Sequence, residues 1–247
     1  MARRALVTGA SSGIGAATVK SLTAAGFKVL GTARREDRLA SLAAETGMDY
    51  VAADLTTDEG IQTVVDYAAK GAPIDVLVNN AGGALGTDSV AEGKVEEWRR
   101  MYEINVISTL RLTQAFLPTM RERGGDLVFI SSTAGHDTYP GGAGYVAAKH
   151  AERQIPNTLR LELLGEPVRI IDISPGMVHT EEFSLVRYHG DREAADRVYA
   201  GVANPLTAED IAEVVRWSIM LPEHINIDSV VVRPRAQASN TLVARTN

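Results

Sequence analysis

Short apolar runs alternate with longer segments of helical periodicity along most of the chain. Such runs are typical of strands in a parallel sheet, which is covered on both faces. Seven strands are predicted, at Ala5–Val7, Phe27–Leu30, Tyr50–Ala53, Asp75–Val78, Leu127–Ile130, Val168–Ile173 and Ser229–Val232. The segments between them predict helices, among them Asp37–Thr46, Asp58–Lys70, Glu96 to about Arg121, one starting near Tyr145, and Thr207 to about Leu221. This alternation predicts an α/β fold with a parallel sheet and right-handed crossovers.

Composition narrows the functional classes without identifying one. The 247 residues are 45% hydrophobic and 23% charged, as in ordinary soluble globular proteins, and no linker or repeat divides them. A formal net charge of −6 argues against nucleic acid or an anionic membrane as the main partner. The chain has no cysteine, which excludes disulfides and thiolate chemistry, and no metal site is predicted. Neither a signal peptide nor a membrane span is found, so we expect a cytoplasmic protein.

A glycine-rich turn follows the first predicted strand and precedes a predicted helix. It reads Thr8-Gly-Ala-Ser-Ser-Gly-Ile-Gly15. Gly9 permits the tight turn, Gly13 would let backbone approach a pyrophosphate, and Gly15 would allow close packing of helix on strand. The helix N-terminus adds free N–H groups that favour phosphate. The turn therefore indicates dinucleotide binding, with a plain turn as the minority alternative.

The end of the second predicted strand indicates which dinucleotide is bound. In an NAD-binding protein an acidic residue at this point holds the ribose 2′-hydroxyl. The position falls at Ala33, which has no carboxylate, and Arg34 and Arg35 follow at once. Because a guanidinium suits a 2′-phosphate, the sequence predicts NADP rather than NAD, with Arg34 as the firmer contact. The alternative is that both arginines simply begin a solvated helix.

A tyrosine, a lysine and a serine are candidates for proton-transfer chemistry. Tyr145 and Lys149 are four residues apart and would share one face of a helix. The ammonium would favour phenolate and lower the tyrosine pKa from its usual value of about 10. Ser132 closely follows a predicted buried strand and could hold the same substrate oxygen. Alone, the Tyr-x-x-x-Lys pattern also fits a pair of residues on the surface of a helix.

Asn105 is a further polar candidate, because it stands among apolar neighbours in the sequence. It is either a core asparagine with satisfied hydrogen bonds or part of a proton relay.

In this order, the motifs resemble those of the short-chain dehydrogenase/reductase family. Besides the glycine turn and the Ser–Tyr–Lys group, the matching segments are Asn79-Asn-Ala-Gly82, Asn105 and Pro175-Gly-x-Val-x-Thr180. The resemblance implies a single Rossmann-type, doubly wound domain over residues 1–247, with a mainly parallel seven-stranded sheet flanked by helices. It also implies an NADP(H)-dependent oxidoreductase that interconverts a secondary alcohol and a carbonyl, usually as a homodimer or homotetramer.

The family resemblance assigns a role to each motif. It implies Tyr145 as the acid/base, Ser132 as the group that polarises the carbonyl, Lys149 as a ligand of the nicotinamide ribose and Asn105 as the holder of a relay water. Asp54, at the end of the third strand, could receive an adenine amino group or merely cap the following turn. The complete set of expected cofactor contacts is Gly9, Ser11, Ser12, Gly13, Ile14, Arg34, Arg35, Asp54, Leu55, Asn80, Ala81, Gly82, Tyr145, Lys149, Pro175, Gly176, Val178 and Thr180.

The substrate must be argued from residues outside the shared cofactor site. The polar segment 180–203 is predicted to form a substrate lid, and its first part resembles that of NADP-dependent 3-hydroxy acid (serine) dehydrogenases within the family. Arg187 could then clamp a substrate carboxylate, or it is only a surface residue of the lid. Ser132 is expected to contact the substrate through its oxygen, and the remaining expected walls of the pocket, chosen because they follow strand ends, are His136, Tyr139 and Met177.

The sequence leaves more than one possibility open for the subunit assembly and for the substrate. Pro156 falls inside the helix that starts near Tyr145, where proline normally kinks or ends a helix, and this puts the usual subunit assembly in question. The polar tail, residues 235–247, is either loose or lies across a neighbouring subunit. The main functional hypothesis is oxidation or reduction of a small 3-hydroxy acid and its carbonyl form. Reduction of a bulkier ketone or aldehyde is the alternative, and a non-catalytic cofactor-binding regulator is a minor one.

Overall fold

The computed structural model describes residues 2–246, which form a parallel sheet flanked by helices. The strands are β1 Arg4–Thr8, β2 Lys28–Ala33, β3 Asp49–Ala52, β4 Val76–Asn79, β5 Gly125–Ile130, β6 Val168–Pro175 and β7 Ser229–Val232. Their order is β3-β2-β1-β4-β5-β6-β7, and every neighbouring pair is parallel. The predicted seven-stranded Rossmann-type sheet is confirmed. Met1 and Asn247, which the predicted domain includes, lie outside the described residues.

Helices connect the strands in the predicted alternation. They are α1 Gly13–Ala24, α2 Glu36–Thr46, α3 Asp58–Ala68, α4 Val95–Tyr102, α5 Ser108–Arg123, α6 Ala143–Glu162, α7 Phe183–Arg187, α8 Arg192–Arg197 and α9 Ala208–Met220. Side chains cap three of them at the N-terminus: Thr57 accepts from the N–H of Gly60, Asp191 accepts from the N–H of Ala194, and Thr207 forms a capping box with Asp210. These caps satisfy N–H groups that a helix cannot bond internally.

The sheet separates two apolar cores. Successive side chains of β1 show the division, because Leu6 belongs to one core and Val7 to the other, and neither has exposed surface. Since side chains of a strand alternate between faces, a strand covered on both sides must be apolar throughout. This explains why the strands were recognisable as continuous apolar runs. Parallel strands also end at one common edge, where functional residues of such folds collect.

The helix predicted from Glu96 to about Arg121 is interrupted. α4 ends at Tyr102, the segment Glu103–Ile107 forms a π-helical turn, and α5 then begins at Ser108. The N–H of Ser108 bonds to the carbonyl of Glu103, five residues earlier. Such turns are frequent at functional sites. Here the turn contains Asn105, which is completely buried.

α6 tolerates a proline that was expected to disturb it. The helix runs from Ala143 to Glu162 with Pro156 inside it and buried. Proline has no N–H, so the carbonyl four residues earlier, that of Glu152, loses its usual helical donor. The helix does not end there, and both Tyr145 and Lys149 lie on its first turns.

Two segments cover the carboxyl edge of the sheet. The predicted lid contains α7 and α8 and is therefore more regular than its weak periodicity indicated. The tail after β7 folds back on its own chain instead of being loose. Asn240 donates to two carbonyls of the loop after β5, and Arg245 donates to two carbonyls of the lid. The tail thus ties the lid to the loop that follows Ser132.

Within residues 2–246, no helix is long and apolar enough to cross a membrane. The same part of the chain holds no group of three His, Cys, Asp or Glu side chains arranged to bind a metal ion.

Candidate active site

One large cavity of about 940 Å³ lies at the carboxyl edge of the sheet. The turn after β1, the ends of the following strands, the lid and the tail form its walls. The predicted site residues that line it are Gly9, Ser11, Ser12, Gly13, Ile14, Arg34, Arg35, Asp54, Leu55, Asn80, Ala81, Gly82, Ser132, Tyr139, Tyr145, Lys149, Pro175, Gly176, Met177, Val178, Thr180 and Arg187. Two predicted residues, Asn105 and His136, do not line it.

The turn after β1 has no space for side chains. Gly9 and Gly13 have φ values of +65° and +50°, which favour glycine, and a Cβ on Gly15 would lie 2.3 Å from the Gly9 carbonyl oxygen. Ser12 precedes α1 and makes no side-chain capping bond. The first N–H groups of α1 therefore remain available to an anion. This backbone cradle fits a pyrophosphate.

Thr8 joins this turn to the loop after β4. Its hydroxyl accepts hydrogen bonds from the N–H groups of Asn80 and Ala81 at 2.9 and 2.8 Å. In return, Asn80 Nδ2 donates to the Thr8 carbonyl at 2.8 Å. Because β1 and β4 are neighbours in the sheet, these bonds fasten the Asn80–Gly82 segment to the glycine turn as one continuous wall.

The two arginines after β2 have different surroundings. Arg34 is exposed, whereas Arg35 is half-buried and its Nη2 lies 3.0 Å from Ser11 Oγ and 3.2 Å from Ser12 Oγ. Both terminal nitrogens of Arg35 also bond to the carboxylate of Glu182 on the lid. Arg35 is therefore the arginine that other side chains hold in place, and the expectation that Arg34 is the firmer cofactor contact stays a prediction. Two guanidinium groups and two hydroxyls form a donor set that fits a 2′-phosphate.

Asp54 lines the cavity and also caps the turn after β3. Its Oδ1 accepts from the N–H and the hydroxyl of Thr56 at 3.1 and 2.8 Å. Burial, the largest single effect, raises the pKa of this carboxyl, but the bonds from Thr56 and the charges of Arg34 and Arg100 together lower it below its usual value. The capping alternative is thus observed, and contact with an adenine stays a prediction.

Ser132, Tyr145 and Lys149 come together on one wall. Tyr145 is 8% and Lys149 4% exposed, and the Lys149 Nζ lies 5.9 Å from the centre of the Tyr145 ring. Nζ donates to the carbonyl of Ile130, at the end of β5, at 3.1 Å. Ser132 accepts from the N–H of Ala134, which fixes its position at the start of a short helical turn. The predicted cluster is therefore formed by α6 and the end of β5.

The pKa of the Tyr145 phenol is raised, whereas the sequence predicted that Lys149 would lower it. Burial raises this pKa because phenolate loses its hydration, while Lys149 and a side-chain hydrogen bond with Ser132 lower it by less. The charge of Glu152, whose Oε2 lies 2.5 Å from the Lys149 Nζ, is a further effect that raises this pKa. The net shift was not predictable from spacing, since burial and the third charge belong to the folded state.

Asn105 is a satisfied core asparagine. Its Nδ2 donates to the carbonyls of Gly83 and Met101 at 2.9 and 2.7 Å, and its Oδ1 accepts from the N–H of Gly83 at 3.1 Å. A Cβ on Gly82 would come within 2.6 Å of Oδ1. Asn105 therefore shapes the loop after β4, and a part in proton relay stays a prediction.

His136 is not a wall of the cavity, contrary to the prediction. The chain turns back at Thr133–Gly135, and the His136 ring then contacts Ser174, with Nε2 2.9 Å from its hydroxyl oxygen. Burial is the largest of the effects that lower the pKa of His136. The position of His136 shortly after the end of β5 did not indicate its contact with Ser174, because that contact depends on the helical turn between Ser132 and His136.

Arg187 projects from the lid into the cavity beside the tyrosines. Its guanidinium carbon lies 5.4 Å from the Tyr139 ring centre and 6.0 Å from that of Tyr145. Nε, Nη1 and Nη2 donate to the carbonyl of Gly86, the hydroxyl of Tyr139 and the carbonyl of Gly141. These bonds close the lid onto the loops after β4 and β5.

Several lid and tail residues that line the cavity were not predicted. Phe183 packs edge-on against Tyr145 with ring centres 5.7 Å apart, and Gln237 Oε1 accepts from the N–H of Met177 at 2.8 Å. The others are Glu182, Ser184, Val186, Tyr188, Val198, Tyr199, Asn240, Thr241, Val243 and Arg245. The aromatic residues of the lid carried a weak signal in the sequence. The tail carried none, because it has neither periodicity nor a motif.

A parallel sheet with a glycine turn after β1, and a Ser–Tyr–Lys group over the same cavity, define a dinucleotide-dependent oxidoreductase. The chain belongs to the short-chain dehydrogenase family, whose model, described as short chain dehydrogenase, matches residues 3–188. The similarity to the family that the motifs indicated is thereby confirmed.

Similar proteins cover nearly the whole chain. A serine 3-dehydrogenase of Rhizobium radiobacter is 43% identical over 236 residues, which are 94% of each chain. The NADP-dependent 3-hydroxy acid dehydrogenase YdfG of Salmonella typhi is 40% identical over 237 residues, 94% of this chain and 95% of that protein. Among solved structures, the closed form of serine dehydrogenase complexed with NADP+ has a TM-score of 0.91 at 37% identity and covers 99% of this chain and 100% of its own.

Proposed function

We propose that this enzyme is an NADP(H)-dependent dehydrogenase that interconverts a small 3-hydroxy acid and the corresponding carbonyl compound. The observation that carries the proposal is the position of the Arg187 guanidinium, 6.0 Å from the Tyr145 ring centre inside the same cavity. A cation at this distance from the proton-transfer group suits a substrate whose carboxylate lies two carbons from its reacting oxygen-bearing carbon. The similarity to serine and 3-hydroxy acid dehydrogenases supports the same class.

The cofactor would lie across the carboxyl edge of the sheet. The N-terminus of α1 and the glycine turn would hold the pyrophosphate, and Arg34 and Arg35 would hold the 2′-phosphate. The loop from Asn80 to Gly82 would border the adenine-side ribose. When bound, the nicotinamide donates or accepts the hydride. The NADP+ in the structure of serine dehydrogenase supports this choice of cofactor.

Proton transfer is assigned to the Ser–Tyr–Lys group. Ser132 would hold the substrate oxygen by a hydrogen bond, and the Tyr145 hydroxyl would donate a proton to it or accept one from it. The Lys149 ammonium would stabilise the phenolate, which accepts the proton during oxidation and forms during reduction, and would bind the nicotinamide ribose. Phe183, packed against the tyrosine ring, would keep water from the phenol when the lid is closed.

Arg187 retains hydrogen-bonding capacity for a substrate. A guanidinium has five N–H groups, and three nitrogens of Arg187 each use one on the chain itself. The two terminal nitrogens therefore keep one N–H each. A carboxylate could accept both, so that the residue would close the lid and bind the substrate with one side chain.

The test compares two substrates that differ only in the carboxylate. L-serine and its methyl ester are supplied to the wild type and to Arg187→Ala, with formation of NADPH as the readout. The wild type should prefer the acid, and the variant should lose that preference through a higher KM for the acid. Arg192→Ala removes a charge from the same lid at an exposed position and should keep the preference. An enzyme that accepts the ester as well as the acid, or accepts only bulky ketones, would contradict the proposal.

We also propose that the enzyme assembles as a homodimer or homotetramer. Trp217, Met220 and Val231 are 46%, 52% and 42% exposed on α9 and the edge strand β7, and such apolar surface is commonly covered in oligomers. Sedimentation velocity of the wild type and of Trp217→Ser tests this assembly. The cytoplasmic location stays a prediction, which fractionation of the source cells would check.

A further inference from the structure

α6 carries a second buried charged residue next to the lysine of the proposed site. Glu152 is 1% exposed, and its Oε2 lies 2.5 Å from the Lys149 Nζ. Removing a carboxylate from water costs several kcal/mol unless other groups compensate for its lost hydration. An apolar side chain at this position would avoid that cost. The carboxylate is therefore more than a packing residue.

A further acid lies close to this pair. Asp172 on β6 has no exposed surface and acts electrostatically on both Glu152 and Lys149. Its carboxylate accepts hydrogen bonds from the hydroxyls of Ser131, Ser174 and Ser229. Asp172 is thus already well bonded, whereas the Glu152 carboxylate depends on Lys149.

The charged surroundings of Glu152 come from two elements. On α6 they are Tyr145 and Lys149, and on β6 the group is Asp172, whose Oδ2 lies 3.7 Å from the Nε of Arg153. His136 is the next titratable group outward, bonded to Ser174 beside Asp172. Lys149 is therefore the cation on which both Glu152 and the Tyr145 phenol act.

We propose that Glu152 is a positioning residue that holds the Lys149 ammonium and weakens its effect on the Tyr145 phenol. While Glu152 is ionised, its negative charge offsets the ammonium and disfavours phenolate. When Glu152 is neutral, the whole charge of Lys149 acts on the phenol, and phenolate becomes easier to form. Burial raises the pKa of Glu152 to about 7, against the opposing effect of Lys149, so this change falls near neutral pH.

The direct test follows the phenol itself in the cofactor-free enzyme. Tyrosine labelled with carbon-13 at Cζ is titrated by NMR, and the resonance of Tyr145 is identified by its loss in Tyr145→Phe. In Glu152→Gln the pH at which this resonance titrates should fall by about one unit. Glu162→Gln makes the same charge change at an exposed site of the same helix and should leave the titration unchanged.

A second variant separates charge from packing. Glu152→Asp keeps the negative charge but draws it back from Lys149, so its titration should move in the same direction by less than that of Glu152→Gln. If Glu152 had only a structural role, Glu152→Asp would shift the titration pH more than Glu152→Gln, because aspartate leaves the larger gap in the core. If Glu152→Gln does not fold, the aspartate variant decides alone, and an unchanged or higher titration pH overturns the proposal.

The kinetic consequence rests on the proposed function, and the NMR titration does not. Oxidation of the alcohol requires phenolate, so the limb of the pH–kcat profile that rises with pH should shift to lower pH in Glu152→Gln. An NMR shift without any turnover would refute the proposed function and keep the role of Glu152. Turnover with no NMR shift would refute the role of Glu152 and keep the function.

Discussion

The carboxylate of Glu182 on the lid accepts hydrogen bonds from both terminal nitrogens of Arg35, and a third from Ser12 Oγ at 2.9 Å. Arg35 and Ser12 belong to the donor set that fits a 2′-phosphate. The lid thus places a negative charge where the proposed cofactor would place one. Arg35 lowers the pKa of Glu182, so the carboxylate is ionised at neutral pH.

The Glu182 carboxylate and the 2′-phosphate of the cofactor would compete for the same donors, so we expect tighter cofactor binding when the carboxylate is removed. Glu182→Gln should lower the Kd for NADPH by roughly tenfold, as expected for the loss of one charge-assisted interaction with Arg35. Calorimetric titration of the wild type and of Glu182→Gln with NADPH measures this Kd. NADH, which lacks the 2′-phosphate, should gain much less, and Glu181→Gln, a more exposed acid on the same lid, should change neither Kd. Weaker NADPH binding by Glu182→Gln would show that the lid carboxylate assists the cofactor.

Replacing an arginine after β2 should change the cofactor preference. Arg34→Asp places a carboxylate near the expected 2′-phosphate and should reduce the ratio of kcat/KM for NADP+ over NAD+ by roughly ten- to hundredfold. Initial rates with each cofactor give the ratio. Arg99→Asp, an exposed change far along the chain on α4, should leave the ratio unaltered. A wild type that prefers NAD+ would refute the assignment.

Removal of one hydroxyl should abolish most turnover. Tyr145→Phe keeps the ring that packs on Phe183 but loses the proposed acid/base, so kcat should fall by roughly a hundredfold to ten-thousandfold. Quenching of protein fluorescence by NADPH should show that cofactor binding persists. Tyr102→Phe, on the exposed side of α4, serves as the control. Near wild-type turnover in Tyr145→Phe would exclude the tyrosine from catalysis.

The ionisation of Glu152 should appear in the pH dependence of stability. The pKa of this carboxyl is raised by burial from 4.5 to about 7. Because the folded state then binds the proton more tightly than the unfolded state, the free energy of unfolding falls as pH rises between these values. The loss is complete above pH 7 and amounts to about 3 kcal/mol at most. Urea unfolding of the wild type and Glu152→Gln at several pH values measures the difference, which should stay constant if the carboxyl titrates normally.

The bonds between tail and lid should matter for substrate binding. Arg245→Ala removes the donors to the lid carbonyls of Val198 and Ala200, so the closed lid should become less favourable and KM should rise by roughly two- to tenfold. Steady-state kinetics with the preferred substrate provides KM. Arg235→Ala removes the same charge from an exposed position nearby and should have little effect. Equal effects of both changes would point to overall charge and not to the lid.

Strands and turn were predictable because their signals are local. The apolar run around Leu6 identifies a strand that must be covered on both faces, and glycine at position 9 marks a backbone conformation that other residues avoid. The four-residue spacing of Tyr145 and Lys149 likewise follows from helix geometry. The three-residue spacing of Lys149 and Glu152 was an equally local signal, and it could have indicated the pair.

By itself, then, the sequence determined the sheet, the glycine turn after β1 and the placing of Tyr145 and Lys149 on one helix, since each depends on neighbours along the chain. Only the tertiary structure decided that Arg35 pairs with Glu182, that the tail is bonded to the lid, and that His136 does not line the cavity. It also decided the sign of the Tyr145 pKa shift. That sign depends on how much water the fold removes and on which distant charges it brings near, and neither quantity is encoded by spacing alone.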